Sequence, residues 1–102
     1  MSIYERFLKE VSSFLETDSG KDLLDNLAED KEWYVRNAVA SNHTPSRIAL
    51  SKLATEKDED VRYKVAQNPN TSTEILAMLA ESEDPNVSKA AKENLERKAQ
   101  DK

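Results

Sequence analysis

The chain has 102 residues, a formal net charge of -5 and charged side chains at 34% of positions, which is enough for one small domain with a marginal but workable core. It has no cysteine and one histidine, which excludes disulfides, thiolate catalysis, cysteine-held zinc or iron–sulfur sites and multi-histidine metal sites. The acidic balance argues against nucleic acid or an anionic membrane as a partner, because phosphate binding needs clustered Lys and Arg. No apolar run approaches the length of a membrane span, and the charges in residues 1–7 interrupt any signal-peptide pattern. A soluble, cytoplasmic protein is the expectation.

Residues 2–16 are expected to form the first helix. Ile3, Phe7, Leu8, Val11, Phe14 and Leu15 fall at helical spacing on one side, with Glu5, Arg6, Lys9 and Glu10 on the other. Ser2 and Glu5 match a capping box. Gly20 is the only glycine, and after a helix it is expected to supply a left-handed turn. The next helix, from about 21 to 30, carries Leu23, Leu24, Leu27 and Ala28. A shorter one, from about 33 to 41, carries Val35, Ala38 and Val39, and it stops at Asn42-His43-Thr44-Pro45. Thr44 suits an N-cap and Pro45 the first helical position. The following pair carries Ile48, Ala49, Leu50, Leu53 and Ala54, then Val61 and Val65, with Asp58 as the expected N-cap and Pro69 as the stop. The last pair opens with a second capping-box match, Thr71 and Glu74. Its first helix carries Ile75, Leu76, Met78, Leu79 and Ala80, and its second carries Val87, Ala90 and Ala91. No proline follows Asn94, so this helix should run through Leu95 to about Ala99 as a polar terminal cap.

These pairs are copies of one unit. At a shift of 26 residues Leu24, Leu50 and Leu76 align, as do Leu27, Leu53 and Leu79, and Ala28, Ala54 and Ala80. Val35 aligns with Val61 and Val87, and Asn42 with Asn68 and Asn94. A fixed period of this size marks a stacked repeat protein. One helix pair cannot hide its own leucines, so its neighbours must cover them. The first helix lies outside the register and is expected to cover one open end.

The runs Val35-Arg36-Asn37-Ala38-Val39-Ala40-Ser41-Asn42 and Val61-Arg62-Tyr63-Lys64-Val65-Ala66-Gln67-Asn68-Pro69 carry a resemblance. With the Leu-Ala pairs and acidic turns before them, residues 21–95 resemble the leucine-rich repeat variant family, a relative of HEAT-like helical repeats. In the third copy Ser88 stands in place of the Arg and Lys92 in place of the second Ala. The resemblance implies an all-α fold, a right-handed α-solenoid of alternating long and short helices. Three helix-pair repeats would follow a capping N-terminal helix, at 1–19, 20–44, 45–70 and 71–102, the last with a lengthened C-terminal helix. It also implies a scaffold that holds another molecule, with no catalytic residue to carry over. The cysteine-held iron–sulfur cluster known in that family has no counterpart here, so no cofactor is expected.

Candidate sites each have a structural alternative. The turns hold Glu29, Asp30 and Glu32, then Glu56, Asp58, Glu59 and Asp60, then Glu81, Glu83 and Asp84. They would form a strip for a basic partner or loosely held cations, or simply cap helix N-termini, which is the favoured reading. Arg36 and Arg62 would bind anions or, as favoured, form a ladder to carboxylates such as Asp58 or Asp60. Trp33 and Tyr34 have no counterpart in the other copies. They would pack on Phe14 or Tyr4, or stand exposed as anchors for a partner. Asn37, Tyr63 and Lys89 share one column, and with Ser41 and Gln67 they form the expected ligand face. His43 reads as a solvated turn residue.

The leading expectation is a non-enzymatic, monomeric scaffold for protein–protein interaction that binds neither nucleic acid nor membrane. Its expected contact residues are Trp33, Tyr34, Asn37, Tyr63, Gln67 and Lys89, and its expected partner is a protein, one that the acidic turns would favour being basic. The alternatives are a nucleic-acid-binding HEAT-like module and a self-assembling structural module. The packing argument makes the first measurable prediction. Leu53→Ala, in the middle copy, should cost about 2–5 kcal/mol in urea unfolding, and a loss well under 1 kcal/mol would show that the leucine column is not a shared core.

Overall fold

A threonine hydroxyl joins the first helices. Thr17 Oγ1 donates to the carbonyl of Phe14 at 2.5 Å and accepts from the N–H of Gly20 at 3.1 Å, so it closes one helix and caps the next. The computed structural model describes residues 3–42 and 47–100, without the side chains of Tyr4, Glu5, Leu8, Ser12 and Leu15. The Ser2–Glu5 capping box, His43, the Thr44 cap and the Pro45 position therefore lie outside the described residues.

The described residues are all-α, with no strand. The helices are α1 (Ile3–Glu10), α2 (Ser12–Leu15), α3 (Asp18–Leu27), α4 (Trp33–Ser41), α5 (Arg47–Leu53), α6 (Glu59–Gln67), α7 (Thr73–Leu79) and α8 (Pro85–Gln100). The expected single helix over 2–16 is broken at Val11, whose φ of -103° and ψ of 24° leave the helical region. Two serines follow, and serine competes for backbone hydrogen bonds and so weakens helices. Val11 turns toward the core, while Ile3, Phe7 and Phe14 stay exposed, so the expected apolar stripe is not buried as a unit. Gly20 makes no left-handed turn. No described residue has a positive φ, and Gly20 is buried in the first turn of α3.

In the third pair the first helix has 7 residues and the second 16, the lengthening expected of the last helix. In the second pair α6 has 9 residues, and α5 is described from Arg47 to Leu53. The turns between paired helices are held closely. After Leu53 the chain closes with tight bonds, Thr55 N–H to Lys52 and Glu56 N–H to Leu53. Arginine then takes the carbonyls left free. Arg62 donates from Nη1 to the carbonyls of Glu56 and Lys57, and Arg36 from Nη1 to that of Asp30 at 2.6 Å. In the third copy Ser88 Oγ reaches the Ala80 carbonyl at 2.7 Å instead.

Caps fix most of the other boundaries. Asp58 caps α6 as expected, accepting from Asp60 N–H at 2.9 Å. Ser72, not Thr71, caps α7, accepting from Ile75 N–H at 3.3 Å. Thr71 is buried and donates to the Val65 carbonyl at 2.7 Å, sealing the end of α6. α8 runs on past Asn94 as the absence of proline implied.

The second helices form a row. α6 packs between α4 and α8, and α1 packs on α4. The first helices lie outside that row, with α3 and α5 on α4, α5 and α7 on α6, and α7 on α8. One apolar cluster runs through all the copies and contains Leu24, Leu50, Leu53, Leu76, Val61, Val65 and Val87. Ile48 and Met78, expected in the stripe, are instead 60% and 48% exposed on the outer sides of α5 and α7.

Buried asparagines set the spacing of the row. Asn68 Nδ2 donates to the carbonyls of Ala40 and Asn42, both at 2.8 Å. Asn94 Nδ2 donates to those of Ala66 and Asn68, both at 2.9 Å. Asn68 Oδ1 also accepts from Asn70 N–H at 2.9 Å, so both ends of that amide are used. The acceptors are free because α4 and α6 stop there, leaving their last carbonyls without intrahelical partners. Asn68→Ala should cost about 2–4 kcal/mol, since two buried carbonyls lose their donors. Asn68→Asp should cost more at neutral pH than at pH near 4, because an ionised carboxylate would face those carbonyls. Chemical denaturation across that pH range is the check, and equal stabilities for Asn and Asp would sink the account.

Candidate partner-binding face

The row of second helices presents one open face, and the side chains on it follow from helical spacing. On α6, Glu59, Tyr63 and Gln67 lie one above another at four-residue steps. On α8, Asn86, Lys89, Glu93 and Arg97 follow steps of three, four and four. Gln67 Nε2 donates to the Tyr63 hydroxyl at 2.9 Å, which holds the half-buried ring upright along α6. A depression of about 280 Å³ lies between the two helices and is lined by Tyr63, Gln67, Asn86, Lys89, Glu93 and Arg97, with Ala90.

Three of the six expected contact residues therefore meet, namely Tyr63, Gln67 and Lys89. Asn37 does not join them. It is only 8% exposed, on a helix enclosed by α1, α3, α5 and α6, so it offers little surface to a partner. Its carbonyl accepts from Ser41 Oγ at 2.9 Å, which engages Ser41 locally. Trp33 and Tyr34 stand at the start of α4, 50% and 39% exposed, with ring centroids 6.1 Å apart at 90°. Of the two packing partners expected for them, Phe14 is itself exposed and the Tyr4 side chain lies outside the described residues. Trp33 thus keeps about half of its surface exposed.

Lys89 is singled out by the sequence but Asn86, Glu93 and Arg97 are not, although all share its helical spacing; Arg97 lies in the stretch after Leu95 that reads as a polar cap.

The acidic turns mostly serve the fold. Asp30 Oδ1 accepts from Glu32 N–H, and Asp84 Oδ1 accepts from the N–H groups of Asn86 and Val87. Glu29 pairs with Lys52 at 2.8 Å and Glu56 with Arg36 at 2.6 Å. The arginine ladder is thus partly as expected, but its carboxylate is Glu56 rather than Asp58 or Asp60, because Arg36 reaches across to the turn of the next copy. Arg36 is largely covered in that position, which leaves little of it for an outside anion.

Glu59 and Asp84 are the exception. They lie together with Asp60, Tyr63, Asn86 and Val87 around a second depression of about 330 Å³. The hydrogen bond with Asp84 holds the Glu59 carboxyl above the usual carboxylate range, helped by the negative charge of Asp84 and opposed by Arg62. The same hydrogen bond holds Asp84 below that range, reinforced by the N–H groups of Asn86 and Val87. Among the described residues no group of three or more His, Cys, Asp or Glu is placed to hold a metal ion. No described helix is long and apolar enough to cross a membrane. No family model, curated protein or solved structure matches the chain.

The carboxyl pair gives a signed pH prediction. Glu59, with its pKa raised, favours the folded state at low pH, and that contribution is lost as pH rises through its folded value. Asp84, with its pKa depressed, favours the folded state above its unfolded value and loses that contribution as pH falls. Glu59→Gln removes the like charge and keeps a donor for Asp84, so Tm should rise at pH 7. The gain should shrink on acidification, as the native Glu59 takes up its proton. Melting curves from pH 7 to pH 4 test this, and a gap that does not narrow would contradict the shared hydrogen bond.

Proposed function

We propose that the chain is a non-enzymatic helical-repeat scaffold that binds another protein along the open face of α4, α6 and α8. In this reading the helix pairs form a short right-handed α-solenoid of the leucine-rich repeat variant, HEAT-like kind, working in the cytoplasm as a monomer. The observation that carries it is the division of labour among the polar side chains. Arg36, Asn68, Thr71 and Asn94 are committed to the chain's own carbonyls, whereas Tyr63, Gln67 and Lys89 line one depression between α6 and α8 and Trp33 stands half exposed at the start of α4. Aromatic residues half-held by neighbours make economical binding anchors, because little conformational freedom remains to be lost.

The expected acidic strip plays a smaller part. Glu29, Asp30, Glu56 and Asp58 have structural partners, whereas Glu59, Asp60 and Asp84 gather around one depression, so a basic partner would be drawn chiefly there. The test is affinity capture with immobilised protein, comparing wild type with Tyr63→Ala and Trp33→Ala. Each folded variant should lose most of a partner protein that wild type retains, with Tm lowered for Tyr63→Ala only by the lost packing of its half-buried ring. Capture indifferent to both changes rejects the face. A concentration-dependent oligomer in light scattering, abolished by Phe7→Glu, would move the role to self-assembly through the exposed Ile3, Phe7 and Phe14.

A further inference from the structure

The open face is not uniform, and its polarity specifies a ligand. The depression around Glu59 and Asp84 adjoins the one around Lys89 and Glu93, with Tyr63 and Asn86 lining both. The second adjoins a third of about 230 Å³, with Gln67 and Arg97 lining both, which extends to Pro69, Asn94 and Lys98. The three form one groove between α6 and α8. One end carries Glu59, Asp60 and Asp84, and the other carries Arg97 and Lys98. The middle is neutral or balanced. Tyr63 accepts from Gln67 and keeps its own hydroxyl hydrogen to give, Gln67 and Asn86 offer amides, and Lys89 faces the opposite charge of Glu93.

Resting on the interaction reading above, we propose that this groove takes an extended peptide segment with a basic side chain at one end and a carboxylate at the other. The amides and hydroxyl between them suit the N–H and C=O groups of a main chain that is not in a helix or sheet. The distance fits a short segment. From Asn86 to Arg97 the α8 rise of 1.5 Å per residue gives about 17 Å, which an extended peptide covers in about five residues. A nucleic-acid strand does not suit the groove, because its continuous negative charge would meet Glu59, Asp60 and Asp84. The groove also lacks the apolar lining that an amphipathic helix would need, being bordered chiefly by charged and amide side chains.

The test uses the intact protein and fluorescein-labelled peptides of about seven residues, read by anisotropy at low salt. One peptide carries paired lysines at one end, paired glutamates at the other, and serine and alanine between. A second has the same composition with the charges alternated. The charge-separated peptide should bind the tighter, and Arg97→Glu and Glu59→Lys should each weaken it about three- to tenfold, as reversal of exposed ionic contacts does. Added salt should erase the difference between the peptides. Thermal melts of both variants confirm that they fold. Equal binding of the two peptides, indifference to both substitutions in folded protein, or tighter binding of a single-stranded oligonucleotide overturns the proposal. The scaffold reading would survive those results if Tyr63→Ala and Trp33→Ala still released a captured protein, so the two failures can be told apart.

Discussion

The spacing of the molecule rests on a neutral amide with two hydrogens. A buried asparagine can hold two carbonyls at the end of the neighbouring second helix at once: Asn68, just past α6, holds those of Ala40 and Asn42, and Asn94, inside α8, holds those of Ala66 and Asn68. Few other side chains could substitute. Aspartate has no donor when ionised, serine has one, and lysine brings a charge that is costly to bury. The carbonyls must also be free, so α4 and α6 have to stop where they do. Pro69 and the Thr71 bond to Val65 hold α6 to that end point. The apolar columns supply most of the driving force for packing, but they are tolerant of sliding. The directional amide bonds fix where one unit sits on the next.

The turns carry a second constraint with the same logic. Each of the two arginines reaches back six residues to a carbonyl of the turn, Arg36 to Asp30 and Arg62 to Glu56. Guanidinium has several donors in one plane, and Arg36 uses another of them to reach Glu56 in the following copy. A turn held this way needs no glycine and no positive φ, which agrees with the backbone of the described residues.

The legible parts of the chain were those set by period. The alignment of Leu24, Leu50 and Leu76 and of Val35, Val61 and Val87 placed the buried residues, because burial follows directly from spacing. The Asp58 cap and the extension of α8 were legible from single residues with strong local preferences. The turns after α3 and α5 were less legible, because acidic runs are good helix formers and the arginine bonds to the turn carbonyls depend on where Arg36 and Arg62 fall in three dimensions. Gly20 misled for a related reason. Its usual role after a helix is local, whereas here α3 had already begun at Asp18 under the Thr17 cap. On the candidate face, Tyr63, Gln67 and Lys89 were recognisable from repeat columns, while Asn37 in the same column is buried. A column fixes the direction of a side chain relative to its helix, not what the neighbouring copy places over it.

The asymmetry of the last copy ties the architecture to the groove. In α4 and α6 the chain leaves the helix near the asparagine, so the terminal carbonyls are open to the next amide. In α8 the helix continues to Gln100, and the carbonyls around Asn94 are taken by the helix itself. A neighbour packed through asparagine as these are would find no acceptors around Asn94. The same continuation carries Arg97 and Lys98 out beyond the end of α6, where Lys98 Nζ donates to the Pro69 carbonyl at 2.7 Å. The basic end of the groove thus exists because the last helix does not stop. Had a proline followed Asn94 as one follows Asn68, the face would have an acidic end and a neutral middle with nothing opposite. The satisfied carbonyls around Asn94 and the polarity of the groove therefore follow from one feature, the absence of a proline after Asn94.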